Sequence, residues 1–277
     1  MSKKTQGYPS VLTIAGFDGS GGAGMQGDIK TISALGCYAT SVLTALPVQN
    51  TCGVKSIYPI PAPIVEAQLQ ALLDDVFPDA IKIGMVHSAD VVEAIVNTLQ
   101  QYPKVPVVFD PVMVSTSGHR LLEDSTVEII VKKLFPITTI VTPNLDEAAV
   151  LTGMPVHTVA DMRIAGKRIM ELGVRSVLLK GGHLDAAQLT SLYFTNDGNI
   201  QEYKFEKIDT PNTRGTGCAL SSAIAAYLAI GRSLPDAVVL AQQYVHEAIL
   251  NGKDAQMGKG NGPLNHFFNP QKLIINR

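Results

Sequence analysis

Charge is scarce in this chain. Charged residues make up 17% of its 277 residues, against about 25% in an average soluble protein, and the net charge is −2. Such near neutrality supplies no global field to attract nucleic acid or an anionic membrane. A bound phosphate would therefore have to be held by local dipoles and a few cations. Cysteine is also sparse: Cys37, Cys52 and Cys218 are an odd number without metal-ligand spacing, so neither a disulfide framework nor a zinc site is indicated. No run approaches the roughly 18 apolar residues of a membrane span. The N-terminal lysines are not followed by the apolar core, about 7–15 residues long, of a secretory leader. These absences predict a cytoplasmic protein with no membrane or nucleic-acid partner. Apolar residues, by contrast, reach 46%, enough for a large buried core.

Short apolar runs at Val11–Ala15, Ala80–Ile83, Val105–Phe109, Thr139–Val141 and Val174–Leu179 read as buried strands, each bounded by Gly, Pro, Asn or Asp. Helical patterns lie between them at Gly24–Leu35, Ile64–Val76, Ala89–Leu99, Ser125–Leu134 and Val159–Leu172. This alternation predicts a mostly parallel sheet with helices on both faces. Two stretches break it. Tyr38–Leu46 and Val54–Tyr58 read as strands with no helix between them, and Leu189–Phe194 and Ile200–Phe205 read as a hairpin around Asn196-Asp197-Gly198. Two long helices, Thr216–Ile230 and Ser233–Asn251, precede a glycine-rich tail. No repeat or linker divides the chain, so one domain over residues 1–277 is expected.

Ligands of such sheets bind beyond the carboxyl ends of the strands. The residues falling there are Asp18 with its glycines, Gly84-Met85, Asp110, Asn144 with Glu147, and Lys180. Gly19-Ser20-Gly21-Gly22-Ala23-Gly24 matches the dinucleotide fingerprint Gly-x-Gly-x-x-Gly, but the acid needed about 20 residues later is missing, where Gly36–Ser41 carries none. The loop is then a plain tight turn or a close approach to a small substrate. No Walker lysine follows any glycine loop. Asn144 and Glu147 form a capping-box pattern; with Asp110 they could instead organise hydrated Mg²⁺, which keeps most of its waters. Lys180 is either a snorkelling strand-end lysine or a point charge for nucleotide phosphates. Gly215-Thr216-Gly217-Cys218 opens an uncharged helix, where turned-in amides and the helix dipole suit a phosphoryl group. Cys218 is either part of that site or a core thiol. His87, His119, His183, His246 and His266 form no metal set in the sequence.

Together these segments resemble the hydroxymethylpyrimidine/phosphomethylpyrimidine kinases of thiamin biosynthesis. The resemblance rests on Leu12–Gly16 running into Ser20–Gly24, Gln26, Asp28 and Lys30-Thr31, on Leu43–Leu46 with Gln49-Asn50-Thr51, and on Ile81–Met85. It continues through Asp110–Val114, Thr142–Leu145 with Glu147, Lys180–His183, the Gly215–Cys218 turn and Gly260–His266. It implies a ribokinase-like α/β fold of three α/β/α layers, with a central, mostly parallel sheet and a small β flap. It implies ATP and Mg²⁺ as cofactors, a small-molecule pyrimidine as partner and a homodimer. The activity implied is phosphorylation of 4-amino-5-hydroxymethyl-2-methylpyrimidine and then of its monophosphate; a pyridoxal kinase of the same fold is the alternative.

Carried over by residue, the pyrimidine site is Ala23, Asp28, Gln49, Met85, Val112 and Cys218. Asp110 and Glu147 serve the metal; Lys180, Asn144 and Thr213 serve the nucleotide; Gly215, Thr216 and Gly217 form the anion hole with Cys218 as the catalytic group. Asp28 is expected to accept from the exocyclic amine and Gln49 to pair with the pyrimidine edge. Cys218 is expected to have its pKa lowered at the helix N-terminus. Arg214, where close relatives usually carry histidine, is expected to grip a phosphate.

Overall fold

The computed structural model describes residues 7–113, 122–182, 184 and 188–275; Val114, His119 and His183 lie outside them. Strands β1 (Ser10–Ala15), β2 (Tyr38–Leu43), β5 (Ala80–Ile83), β6 (Val107–Phe109), β7 (Ile140–Val141) and β8 (Ser176–Gly181) run parallel. They are joined antiparallel by β9 (Gln188–Thr195) and β10 (Ile200–Glu206), giving an eight-stranded sheet ordered β10-β9-β8-β7-β6-β5-β1-β2. A separate two-stranded flap pairs β3 (Ala45–Asn50) with β4 (Gly53–Pro59).

The near-continuous apolar strands follow from burial on both faces. Successive side chains alternate between two cores. Leu12, Ile14, Ile81, Ile83, Val107 and Phe109 face one core. It is covered by α2 (Ala62–Leu73), α3 (Ala89–Leu99), α4 (Asp124–Ile129), α5 (Leu145–Thr152) and α6 (Val159–Glu171). Val11, Ala80, Val108 and Leu178 face the other, under α1 (Gly24–Ala34), α7 (Thr216–Ala229) and α8 (Leu234–Leu250). The alanine-rich α7 is buried from Ala219 to Ala226 and packs on α1, α8 and the central strands, which explains its lack of charge.

Three expectations change. The single strand Tyr38–Leu46 is two, because the chain leaves the main sheet at Thr44. There the amide still bonds Ala15 O, but the hydroxyl turns to Met85 O at 2.7 Å, and the following residues pair in the flap. The helix expected over Ser125–Leu134 ends as α4 at Ile129 and continues as a π turn, Ile130–Leu134. The capping box at Asn144 opens a helix of its own, α5, closed by Gly153 in the left-handed conformation.

Candidate active site

The parallel strands deliver their carboxyl ends to one rim. After β1, Asp18 organises the glycine loop from within. One carboxylate oxygen accepts from the amide and hydroxyl of Ser20, at 3.1 and 2.7 Å; the other accepts from the amide of Ala23 at 2.8 Å. Burial alone would raise the Asp18 pKa, but the Ser20 hydroxyl and the Arg214 guanidinium hold it below the usual carboxylate range. Arg214 places Nη2 3.2 Å from Asp18 and donates from Nε to Ser20 Oγ at 3.3 Å. The fork therefore clamps the first glycine loop to the mouth of α7. The guanidinium, which the sequence assigned to a phosphate, is held here through Nη2 and Nε by a fully buried aspartate and Ser20.

At that mouth Gly215 has φ 85° and N-caps α7, and no side chain caps the helix. A Cβ on Gly215 would stand 1.9 Å from Gly22 O, so the two glycine turns touch backbone to backbone. A Cβ on Gly217 would stand 3.2 Å from Lys180 Nζ and 3.4 Å from Asp110 Oδ2. Glycine there keeps the amides of the first turn, which have no intrahelical acceptor, open beside a lysine and a carboxylate. Thr216 lies between them, and Thr213 is exposed just before the turn.

Asp110, past β6, accepts from Lys180 Nζ at 2.8 Å and from the Thr142 hydroxyl at 2.9 Å on one oxygen. Burial would raise its pKa; Lys180, Lys82 and Thr142 hold it low. Burial would lower Lys180, but Asp110 and Glu147 raise it and keep it a cation. Glu147 accepts from the Asn144 amide at 2.8 Å, completing a capping box with Asn144 Oδ1. Burial, with the nearby Asp110 charge, pushes Glu147 up to about 8, against the pull of Lys180 and the amides of Asn144 and Met113. Two confined carboxylates sharing one lysine suit a divalent cation, which would remove their repulsion and ionise Glu147. Among the described residues no group of three or more His, Cys, Asp or Glu could hold a metal. With only two carboxylates at hand, a hydrated Mg²⁺ held here would take its other ligands from water and phosphate.

On the other side of the first loop, Gln49 on the flap donates from Nε2 to Phe17 O at 3.0 Å, leaving its amide oxygen and a second N–H for a ligand edge. Met85 covers Gly16, where a Cβ would meet its methyl at 2.7 Å. Val112 and Ala23 are half-buried at the same rim. Asp28 is different. Its carboxylate is fully buried and bonded to Thr13 Oγ1 at 2.6 Å, Lys82 Nζ at 2.8 Å and Ser222 Oγ at 2.8 Å, so no exposed oxygen remains for an exocyclic amine. Cys218 corrects a second expectation. Burial pushes its thiol up to about 11, and the opposing pull of Lys82 and the Gly24 amide does not offset that and the repulsion of Asp28 and Asp110. The helix N-terminus does not make it a thiolate.

Sequence reasoning gave no role to Lys82, nor to the central place of Asp18 in the loop. The one available signal for Lys82 was a charge inside the otherwise apolar β5. His266, in the tail, is buried and neutral: burial and Lys30 lower its pKa to about 4. No helix among the described residues is long and apolar enough to cross a membrane.

Comparison with known proteins follows the same lines. The phosphomethylpyrimidine kinase family profile matches residues 18–265. The chain is 44% identical to the hydroxymethylpyrimidine/phosphomethylpyrimidine kinase of Salmonella typhimurium over 93% of its length and 97% of that protein. It is 45% identical to the thiamine biosynthetic bifunctional enzyme of Arabidopsis thaliana over 95% of its own length, but spans about half, 51%, of that longer protein. The crystal structure of phosphomethylpyrimidine kinase from Clostridium difficile superposes with TM-score 0.76 at 43% identity, covering 87% of this chain and 99% of that one. The pyridoxal kinase of Staphylococcus aureus in complex with ADP superposes with TM-score 0.87 at 34% identity, covering 94% of each.

Proposed function

The chain belongs to the phosphomethylpyrimidine kinase family, and from that premise we propose that it transfers the γ-phosphoryl of ATP twice. The first acceptor is the alcohol of 4-amino-5-hydroxymethyl-2-methylpyrimidine and the second is the resulting monophosphate, in thiamin biosynthesis. The observation that carries this reading is the contact of the two glycine turns beside Asp110 and Lys180. It supports a reading in which Gln49 and Met85 edge an acceptor pocket beside an anion hole. The pyridoxal alternative is less well supported, since the pyridoxal kinase neighbour is 34% identical and the pyrimidine kinases 43–44%.

In this reading Lys180, Asn144 and Thr213 receive the nucleotide phosphates. Asp110 and Glu147 hold hydrated Mg²⁺, which neutralises phosphate charge when bound. Gln49 orients the ring edge and Met85, Val112 and Ala23 wall the ring. The amides from Gly215 to Cys218 stabilise the charge spreading over the transferred group, where positioning and electrostatics do most of the work. The bond from the γ-phosphorus to ADP breaks, a bond to the acceptor oxygen forms, and the hydroxyl proton leaves to water. A largely protonated Cys218 takes little of that proton. Its service is neutrality, because an uncharged thiol admits an acceptor that is already a phosphate. One catalytic domain in a cytoplasmic homodimer is the form proposed, and the apolar Leu46, Val48, Val54 and Tyr58 exposed on the flap support self-association.

The test is ADP release with hydroxymethylpyrimidine, its monophosphate and pyridoxal offered separately, with and without Mg²⁺. Both pyrimidines should be turned over, only with Mg²⁺, and with higher kcat/KM than pyridoxal. A preference for pyridoxal, or no turnover of either pyrimidine, would refute the assignment.

A further inference from the structure

Lys82 sits on the central strand β5, between Ile81 and Ile83, which face the α2–α6 core. Alternation therefore sends its side chain to the α1/α7 side. It is fully buried, and its Nζ donates to Asp28 Oδ2 at 2.8 Å. The same carboxylate is fixed by Thr13 from β1 and by Ser222 from α7, four residues and about one turn after Cys218. The ammonium rises toward the rim: a Cβ on Gly84 would stand 2.6 Å from it. Four charged groups act electrostatically on the Cys218 thiol: Asp28 from α1, Lys82 from β5, Asp110 past β6 and Lys180 from β8. Of these Lys82 acts most strongly on it, and Lys180 is already paired with Asp110.

As a structural device the pair makes little sense. A buried ion pair is often no more stabilising than the apolar residues that could replace it, and parallel strands covered on both faces favour apolar side chains. A charge in that setting breaks a local rule, as functional sites tend to do.

We propose that Lys82 is a positioning residue for the transfer: its ammonium, locked by Asp28 next to Gly84, is a fixed positive charge that stabilises negative charge developing on the acceptor oxygen. The inference deepens the kinase reading and rests on it. Asp28, expected at the substrate, thereby acts one layer lower, as the anchor of that cation.

Two variants separate this role from a merely structural one. Lys82→Met removes the charge and leaves Asp28 unpaired; Asp28→Asn with Lys82→Met removes both charges and restores a neutral interior. With hydroxymethylpyrimidine, K82M should lower kcat roughly 100-fold, the loss typical of one missing electrostatic group, with KM for both substrates within about threefold. The double variant should recover the Tm lost in K82M yet remain at least roughly tenfold down in kcat. Without substrates, alkylation of Cys218 by iodoacetamide at pH 8.5, read against the exposed Cys52 in the same molecule, should slow about tenfold in K82M. If kcat returns together with Tm in the double variant, or Cys218 alkylates at the wild-type rate in K82M, the proposal falls. Should K82M not fold, the double variant carries the kinetic test. A wild type that phosphorylates no pyrimidine sinks the kinase reading; an active wild type whose variants keep their kcat sinks the role of Lys82 alone.

Discussion

Replacing Gly215 with alanine tests whether contact between the two glycine turns sets the geometry of transfer. The perturbation has two parts. At φ 85° an L-residue is strained by about 1–2 kcal/mol. The new methyl would also stand 1.9 Å from Gly22 O, whereas carbon–oxygen approaches settle near 3.3 Å, so the turns must separate by about 1.4 Å. Both neighbours are backbone and cannot rotate away. Overpacking of this kind costs about 1–3 kcal/mol, and a 1 Å misplacement of catalytic groups costs about 100-fold in rate. G215A should therefore lose about 3 kcal/mol of stability, a Tm fall of roughly 6–12 °C, and at least about 100-fold in kcat/KM by coupled ADP release. Gly198, at φ 81° in the distant β9–β10 turn with nothing within 4 Å of its built Cβ, is the control. G198A carries the backbone strain alone and should keep wild-type kinetics. If G215A lost no more stability than G198A and kept kcat/KM within threefold, the turns would not be set by contact and the reasoning would be refuted.

Two further outcomes follow from the site. Cys218→Asp should keep phosphorylation of the alcohol and lose that of the monophosphate by up to about 1,000-fold, because a carboxylate 4 Å from the acceptor phosphate costs about 4 kcal/mol at an effective dielectric near 20; equal loss of both steps, measured in parallel, would contradict this. His266→Gln should flatten the acid side of the stability curve. The folded-state pKa of His266, about 4, is depressed from 6.5, so the unfolded chain binds the extra proton. Its contribution is fully present above 6.5 and is lost as pH falls through 4, by at most about 3 kcal/mol. Urea midpoints of the two proteins should converge toward pH 4; parallel curves would count against it.

Most of the sheet was legible because buried parallel strands and their capped helices write themselves as apolar runs and punctuation. The capping box at Asn144 and Glu147, the left-handed Gly215 turn at the start of α7 and the contact of Lys180 with Asp110 lie where strand ends and glycines pointed. The illegible parts depend on depth. Asp28 reads as a polar residue near a glycine loop, and nothing local says that Thr13, Lys82 and Ser222, distant in sequence, consume its oxygens. Cys218 stands at a helix N-terminus, which lowers a thiol pKa in isolation; the helix is buried, and desolvation wins. Arg214 looked free because its partner, Asp18, is 196 positions earlier. The break at Thr44 was hidden because both halves of Tyr38–Asn50 favour extended chain, and only three-dimensional pairing decides which sheet each joins.

The strap after α8 has one more consequence. Gly260 reaches the flap turn through Thr51 Oγ1, Gly262 receives the Arg214 amide, Pro263 bridges to Arg214, and Leu264 packs on Ala219. The flap turn and the entry to the Gly215 turn are thus pinned by a segment that follows α8 in the chain. A chain cut before Gly260 would keep the sheet and α1–α8 and lose these ties, so in the kinase reading its fold should persist while its kcat falls.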